Sequence, residues 1–284
     1  MRQILSVKKE QEVLSLIPGI AFSNVSSWYG STRRDLKMDI IAPKVREGHK
    51  LCPAIVWICG GAYRVVDRSV WLPQMVFFAQ RGYVIASIEY RTSNEAQFPD
   101  PLIDCKAAVR YLKAHAEAFC IDPNRICAMG ESAGGTMASL LGTTKGITDY
   151  DKGDYLDESS DVKAVVDFYG LTDLTDGPMN IREDIPEWAL QDFLGVKYTD
   201  SVARKASAVY YVNAATPPFM IFHGDDDLLV PIKQSETLYY YLQKYGVDSE
   251  FYILKGAGHG ADEFYQREVL ERIITFLNRV LAVE

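Results

Sequence analysis

One serine, one histidine and one carboxylate, far apart in this chain, have the types and settings needed to activate a hydroxyl for attack on a carbonyl. The serine is Ser132, in Gly130-Glu131-Ser132-Ala133-Gly134. A short apolar run precedes this pentapeptide, and small and apolar residues at helical spacing follow it. The pattern predicts a strand, a tight turn with Ser132 at its apex, and a helix. Flanking glycines let strand and helix approach closely, and a strained apex pushes the hydroxyl out of the fold. A serine hydroxyl is a weak nucleophile until a base takes its proton, and that base must be held in one tautomer by an acid.

The chain has four histidines, so the search for the base is short. His49 sits in a loop and His115 on a polar helix face; both read as surface residues. His223 ends an apolar strand just before Gly224 and reads as structural. His259 lies in Gly256-Ala257-Gly258-His259-Gly260, a flexible loop between the last strand and the last helix. From there an imidazole can reach across the carboxyl edge of a sheet, which makes His259 the candidate base. Three neighbouring acids in Gly224-Asp225-Asp226-Asp227-Leu228-Leu229-Val230-Pro231 are candidates for its partner. Asp227 stands just before the apolar Leu228-Leu229-Val230, so its carboxylate can be turned inward and desolvated. Asp225, a hydrogen-bonding turn residue, is the alternative. Backbone N–H groups of Gly61 and Ala62, after the apolar run Ala54–Cys59, together with that of Ala133, would receive the oxyanion.

Strands and helices alternate from residue 54 onward. Continuous apolar runs at Ala54–Cys59, Tyr83–Tyr90, Val162–Tyr169 and Pro218–His223 read as strands buried on both faces. Amphipathic stretches at 71–81, 101–119, 232–245 and 262–283 read as helices, the last with Asp262 as its N-cap. Such alternation predicts an α/β fold with a mostly parallel central sheet and helices on both faces. Residues 1–34 read as mixed helix and loop. Asp35–Ala42 alternates and reads as an edge strand, and Asp122-Pro123-Asn124 reads as a turn. The acidic stretch 143–161 reads as a solvated loop and lacks the ligand spacing of a Ca²⁺ loop. Residues 171–217 are too long for a simple connection and read as a lid-like insertion with helices at 187–194 and 201–206. Neither a repeat nor a low-complexity linker divides the chain, so residues 1–284 are expected to form one domain.

With these residues in place, the chain resembles the α/β-hydrolase carboxylesterases of the lipase/esterase type. The family's four segments stand here as Cys59-Gly60-Gly61-Ala62, GESAG at 130–134, HGDDDLLVP at 223–231 and GAGHG at 256–260. Glu89-Tyr90-Arg91 is similar to a further family segment. The likeness covers residues 35–283 and is nearest to acetylxylan and feruloyl esterase-like enzymes and the related arylformamidases. It implies the α/β-hydrolase fold and a triad of Ser132, His259 and Asp227, with the family's spacing favouring Asp227 over its neighbours. It also implies hydrolysis of short-acyl esters, acetyl esters of carbohydrates among them, without metal or cofactor. The same triad would serve an amidase or a peptidase, and a non-catalytic binding protein on the same fold is the other alternative. Tyr63, Glu131, Trp71 and Trp188 are candidate substrate contacts, with Tyr29 a further aromatic. Two departures stand out: Cys59 replaces the family histidine, and Ala62 replaces a glycine, which is tolerable if its φ stays negative.

Bulk properties bound the partners. Of 284 residues, 48% are hydrophobic and 24% charged, as in ordinary soluble domains. The net charge of −8 argues against nucleic acid and anionic membranes as main partners. Five cysteines without a CxxC pair, and an N-terminus without an uninterrupted apolar core, point to a cytoplasmic protein with reduced thiols. Apolar residues on the closing helix suggest a homodimer.

Overall fold

Apolar runs without alternation must be covered on both faces, and these runs build the centre of the sheet. The computed structural model describes residues 1–8, 10, 13–44, 50–175 and 186–283. His49 and residues 176–185 of the expected insertion lie outside these described residues. Eight strands form one sheet: β1 (Leu14–Ser27), β2 (Thr32–Pro43), β3 (Cys52–Ile58), β4 (Val84–Ile88), β5 (Ile121–Glu131), β6 (Val165–Phe168), β7 (Phe219–Gly224) and β8 (Ser249–Leu254). Their spatial order is β1-β2-β4-β3-β5-β6-β7-β8. β1 and β2 pair antiparallel, as do β2 and β4; every other neighbouring pair is parallel.

Helices cover both faces. α1 (Leu72–Ala79) and α7 (Arg267–Val280) bury Met75, Phe78, Ile273 and Leu277 against Trp57, Met129 and Phe222 on one side. α2 (Asp100–Ala114), α3 (Ala133–Thr143) and α6 (Lys233–Lys244) bury Leu102, Val109, Met137, Leu140 and Leu238 on the other. α4 (Glu187–Leu194) and α5 (Asp200–Lys205) come from the insertion and join that second core through Leu190, Phe193 and Ala203. From β3 the chain steps to β4 on one side and later to β5 on the other. The carboxyl ends of β3 and β5 therefore flank the switch point where open α/β sheets bind ligands. Among the described residues no helix is long and apolar enough to cross a membrane.

Several expectations change. Leu14–Ser27 is a strand, not mixed helix and loop; two register shifts against β2 break the alternation that would have marked it. β1 is consequently the edge, and β2 lies inside it. The stretch 122–125 is an irregularity within β5, with Ile121 paired to Cys52 and Ile126 to Ala54. α2 stops at Ala114, and residues 117–119 form a separate 3₁₀ turn. Asp262 caps no long helix: Asp262–Tyr265 is a 3₁₀ turn and Gln266 precedes α7. His115 is half-buried after α2, stacked on Tyr111 at 4.1 Å between ring centres. The 143–161 stretch is not merely solvated. It wraps buried cations of α2: Lys106 donates to Ser160 Oγ at 2.9 Å and Arg110 to Asp151 at 2.8 Å. The apolar residues of α7 are spent on this chain's own core, with Val269, Leu270, Ile273, Ile274, Phe276 and Leu277 all buried.

Candidate active site

Ser132 stands between the last residue of β5 and the first of α3, at φ +55° and ψ −122°. A side chain rarely adopts that backbone, and such strain persists only where the surroundings enforce it. Here the glycines permit it. An ideal Cβ at Gly134 would lie 1.9 Å from the Ile58 carbonyl oxygen, and one at Gly130 2.3 Å from the Gly134 oxygen. Strand β3 and helix α3 thus meet closely, and the Ser132 N–H is tied to Phe168 O of β6 at 2.9 Å.

His259 reaches this apex from its loop after β8. Its Nε2 is 2.8 Å from Ser132 Oγ, and its Nδ1 is 2.7 Å from Asp227 Oδ2. The Asp227 side chain has no exposed surface, and its other oxygen accepts the N–H groups of Leu229 (2.9 Å) and Val230 (2.8 Å). Burial pushes this carboxyl up. Hydrogen bonds from His223, His259 and the Val230 N–H, with the attraction of His259, outweigh burial and hold it well below the usual carboxylate range. An ionised carboxylate only accepts, so the His259 proton belongs on Nδ1 and Nε2 is left to accept from Ser132. Asp225, the alternative, is exposed and accepts the Gly256 N–H at 2.5 Å, far from either partner's role.

His223 is fully buried and uses both nitrogens. Nε2–H donates to Val230 O at 2.9 Å, and Nδ1 accepts from Ser235 Oγ at 2.7 Å. The same Nε2 lies 3.4 Å from Asp227 Oδ2. It braces the loop that carries Asp227, a role the sequence marked only as structural.

The loop after β3 has three successive positive φ values: Gly61 at +131°, Ala62 at +53° and Tyr63 at +62°. Ala62 therefore does not keep the negative φ expected of it. The Tyr63 carbonyl, bonded to Ser93 N at 2.7 Å, holds the loop beyond it. Ala133 opens α3, where N–H groups have no partner within the helix. Glu131 braces the base of the loop. Its buried carboxylate accepts the Gly60 N–H at 2.5 Å and the Trp71 indole N–H at 3.3 Å. A Cβ on Gly60 would fall 2.6 Å from that carboxylate, so no side chain fits. Burial raises the Glu131 carboxyl against these two hydrogen bonds. Cys59, in the family histidine's place, accepts the Trp57 indole N–H at 3.1 Å, and burial pushes its thiol up to about 12, which makes it inert.

A small apolar cleft opens over Ser132. Ala62, Tyr63, Ala133, Leu171, Pro186, Trp188, Ala189, Leu229 and Val230 line it, and its free space is about 30 Å³, room for roughly two water-sized groups. Tyr63 forms the floor, stacked on Phe193 of α4 at 4.3 Å and donating to Thr136 Oγ1 at 2.9 Å. Trp188 forms a wall beneath the Arg64 guanidinium, 4.6 Å from the ring centre, and Arg64 pairs with Asp192. Of the four expected substrate contacts, Tyr63 and Trp188 line the cleft. Glu131 and Trp71 do not: their polar atoms meet each other, and the Trp71 ring stacks on Tyr265 at 4.0 Å. Tyr29 is also absent from the lining. Tyr169 was missed by sequence reasoning. It is buried at φ +45°, with its ring edge-on to His259 at 4.7 Å. Nothing in its neighbourhood in sequence marks it. Among the described residues no cluster of side chains could hold a metal ion.

Sheet order, strained serine turn and carboxyl-edge cleft define an α/β-hydrolase fold. A family model described as BD-FAE matches residues 38–242, and the chain belongs to that family. Among curated proteins it is similar to "Esterase LipC" of Mycobacterium tuberculosis, 32% identical over 225 residues that cover 75% of this chain and 54% of that one. The chain spans about half the length of the curated relatives it matches. Among solved structures, a carbohydrate esterase from gut microbiota superposes with a TM-score of 0.80 at 24% identity, covering 97% of this chain and 99% of that one. An acetyl ester-xyloside bifunctional hydrolase from Caldicellulosiruptor lactoaceticus superposes with 0.72 at 26% identity, covering 87% and 88%.

Proposed function

We propose that this protein hydrolyses carboxylic esters through a covalent acyl-enzyme, with Ser132 as nucleophile, His259 as general base and Asp227 as the acid that orients it. The observation carrying this reading is the position of His259, 2.8 Å from the Ser132 hydroxyl and 2.7 Å from the Asp227 carboxylate. Ser132 Oγ attacks the ester carbonyl as His259 Nε2 takes its proton. The tetrahedral oxyanion is received by N–H groups of Gly61, Ala62 and Ala133. The C–O bond breaks as His259 returns the proton to the departing alcohol. Water, activated by the same imidazole, then releases the acid.

The substrates are short-acyl esters of carbohydrates, acetyl esters first. Two things support this. The apolar cleft over Ser132 is small, with about 30 Å³ of free space, and similar proteins include a carbohydrate esterase and an acetyl ester-xyloside hydrolase. A substrate panel tests the reading: p-nitrophenyl acetate, butyrate and octanoate, acetylated xylo-oligosaccharide, and N-formylkynurenine. We expect kcat/KM to fall steeply from acetate to octanoate and acetylated xylo-oligosaccharide to be cleaved. Faster turnover of N-formylkynurenine than of any ester would overturn ester specificity.

A further inference from the structure

The turn between β1 and β2 is built against its own residue types. Trp28 and Tyr29 both sit at φ +50°, followed by Gly30 at +92°, and Gly30 N–H closes the turn on Ser27 O at 3.2 Å. Asn and Gly are the usual occupants of such mirror-image turns. Two large aromatic residues in the left-handed region are strained, and strain of this kind gathers at functional positions. Neither ring is used to bury anything: Trp28 is 67% exposed and Tyr29 64%. The Trp28 indole makes no hydrogen bond or ring contact among the described residues.

The tip is nevertheless fixed in place, by the segment 93–95, which is itself bonded to a residue of the cleft. Tyr29 N–H donates to Glu95 O at 2.9 Å, and the Tyr29 hydroxyl to Ser93 O at 2.5 Å. Ser93 N–H in turn donates to the carbonyl of Tyr63, a cleft-lining residue, and Asn94 Nδ2 donates to Arg64 O at 3.5 Å. Two hydrogen-bonded steps thus join Tyr29 to the cleft. Beside Trp28, an open depression presents Thr32, Thr92 and Asn94, with Arg34 at its side paired to Glu95.

A flat, solvent-facing aromatic ring next to hydroxyl, amide and guanidinium groups matches one ligand chemistry. A pyranose has one face of C–H bonds that stacks on a ring and a rim of hydroxyls that need donors and acceptors. We propose that the Trp28-Tyr29 tip is a stacking platform for the carbohydrate chain of the ester substrate, some sugar units away from the ester held at Ser132. Trp28 supplies the ring and Tyr29 the tether. This deepens the carbohydrate-ester reading and rests on it.

The experiment compares the full chain with Trp28→Asn and Trp28→Phe. On acetylated xylo-oligosaccharides of six or more units, Trp28→Asn lowers kcat/KM about three- to ten-fold, the range of one aromatic stacking contact, chiefly through KM. Trp28→Phe restores most of it. On p-nitrophenyl acetate both variants match the parent. The melting temperature of Trp28→Asn holds or rises, because Asn tolerates the left-handed backbone better than Trp; a ring serving only the fold would give a fall instead. Equal loss on p-nitrophenyl acetate and on the long oligosaccharide, or no loss on either, overturns the platform. Binding of unesterified xylohexaose, followed by tryptophan fluorescence, keeps the two readings apart. If xylohexaose binds the parent and not Trp28→Asn, the platform stands even where the ester linkage preferred at Ser132 proves to be another; if it does not bind the parent, the platform falls.

Discussion

Replacing Asp227 by asparagine should cost more than the loss of one charge, and the geometry says why. Asp227 Oδ1 is held by two N–H donors, from Leu229 at 2.9 Å and Val230 at 2.8 Å. Asparagine has only one oxygen, and those two donors will claim it. Its NH₂ group must then take the Oδ2 position, 2.7 Å from His259 Nδ1. A donor there forces Nδ1 to accept, so the imidazole proton moves to Nε2 and points at Ser132 Oγ. The base is present and well placed, yet in the tautomer that cannot take a proton from serine. The same wrong-tautomer substitution in a serine protease triad lowers kcat by about 10⁴, or about 5.5 kcal/mol of transition-state stabilisation. We expect a kcat loss of that order for p-nitrophenyl acetate, with KM nearly unchanged, measured per chain of folded enzyme. Asp225→Asn keeps an acceptor for the Gly256 N–H and should lose less than about three-fold. Retention of a tenth or more of kcat by Asp227→Asn, or a larger loss from Asp225→Asn, would refute the tautomer argument.

Two further substitutions follow from buried carboxylates. Glu131→Gln keeps an oxygen for the Gly60 N–H and should hold kcat within about three-fold, whereas Glu131→Ala releases the oxyanion loop and should lower kcat roughly ten- to a hundred-fold, below the full loss of an oxyanion donor; equal rates for the two variants would show that the Gly60 contact is idle. Asp167 is fully buried, accepts from Ser139 Oγ at 2.9 Å and Gly170 N–H at 3.0 Å, and has its carboxyl raised to about 6, chiefly by burial. A carboxyl raised above its unfolded value of about 3.9 stabilises fully below that pH, and the contribution is lost as pH rises through about 6; two units correspond to on the order of 3 kcal/mol. The stability of Asp167→Asn minus that of the parent, from urea unfolding, should therefore rise as pH goes from 4 to 7, and a difference that stays flat or falls over that interval would contradict the burial account.

The parallel part of the sheet was readable because its inner strands are buried on both faces, which leaves unbroken apolar runs such as Ala54–Cys59 and Pro218–His223. The antiparallel margin was not. β1 carries two register shifts, so its side chains do not alternate evenly and its pattern dissolves. The three side chains now seen together were found from local settings, a glycine-flanked serine, a histidine in a glycine-rich loop and an aspartate ahead of an apolar triplet, with the family resemblance favouring Asp227 over its neighbours. What stayed hidden were contacts between distant positions. Nothing near Glu131 announces that it holds Gly60, 71 positions earlier in the chain. Likewise the φ of Ala62 depends on how Ser93 and α4 hold Tyr63, and no property of the loop's own residues sets its sign. The acidic 143–161 stretch misled for the same reason, since its partners Lys106 and Arg110 lie on α2.

Labelling with a fluorophosphonate, followed by mass spectrometry of the digested chain, tests the central claim most directly. The account predicts one adduct per chain, carried on Ser132, formed at a rate that collapses in His259→Ala and absent from Ser132→Ala. An adduct on another residue, or ester hydrolysis that survives Ser132→Ala, would contradict it.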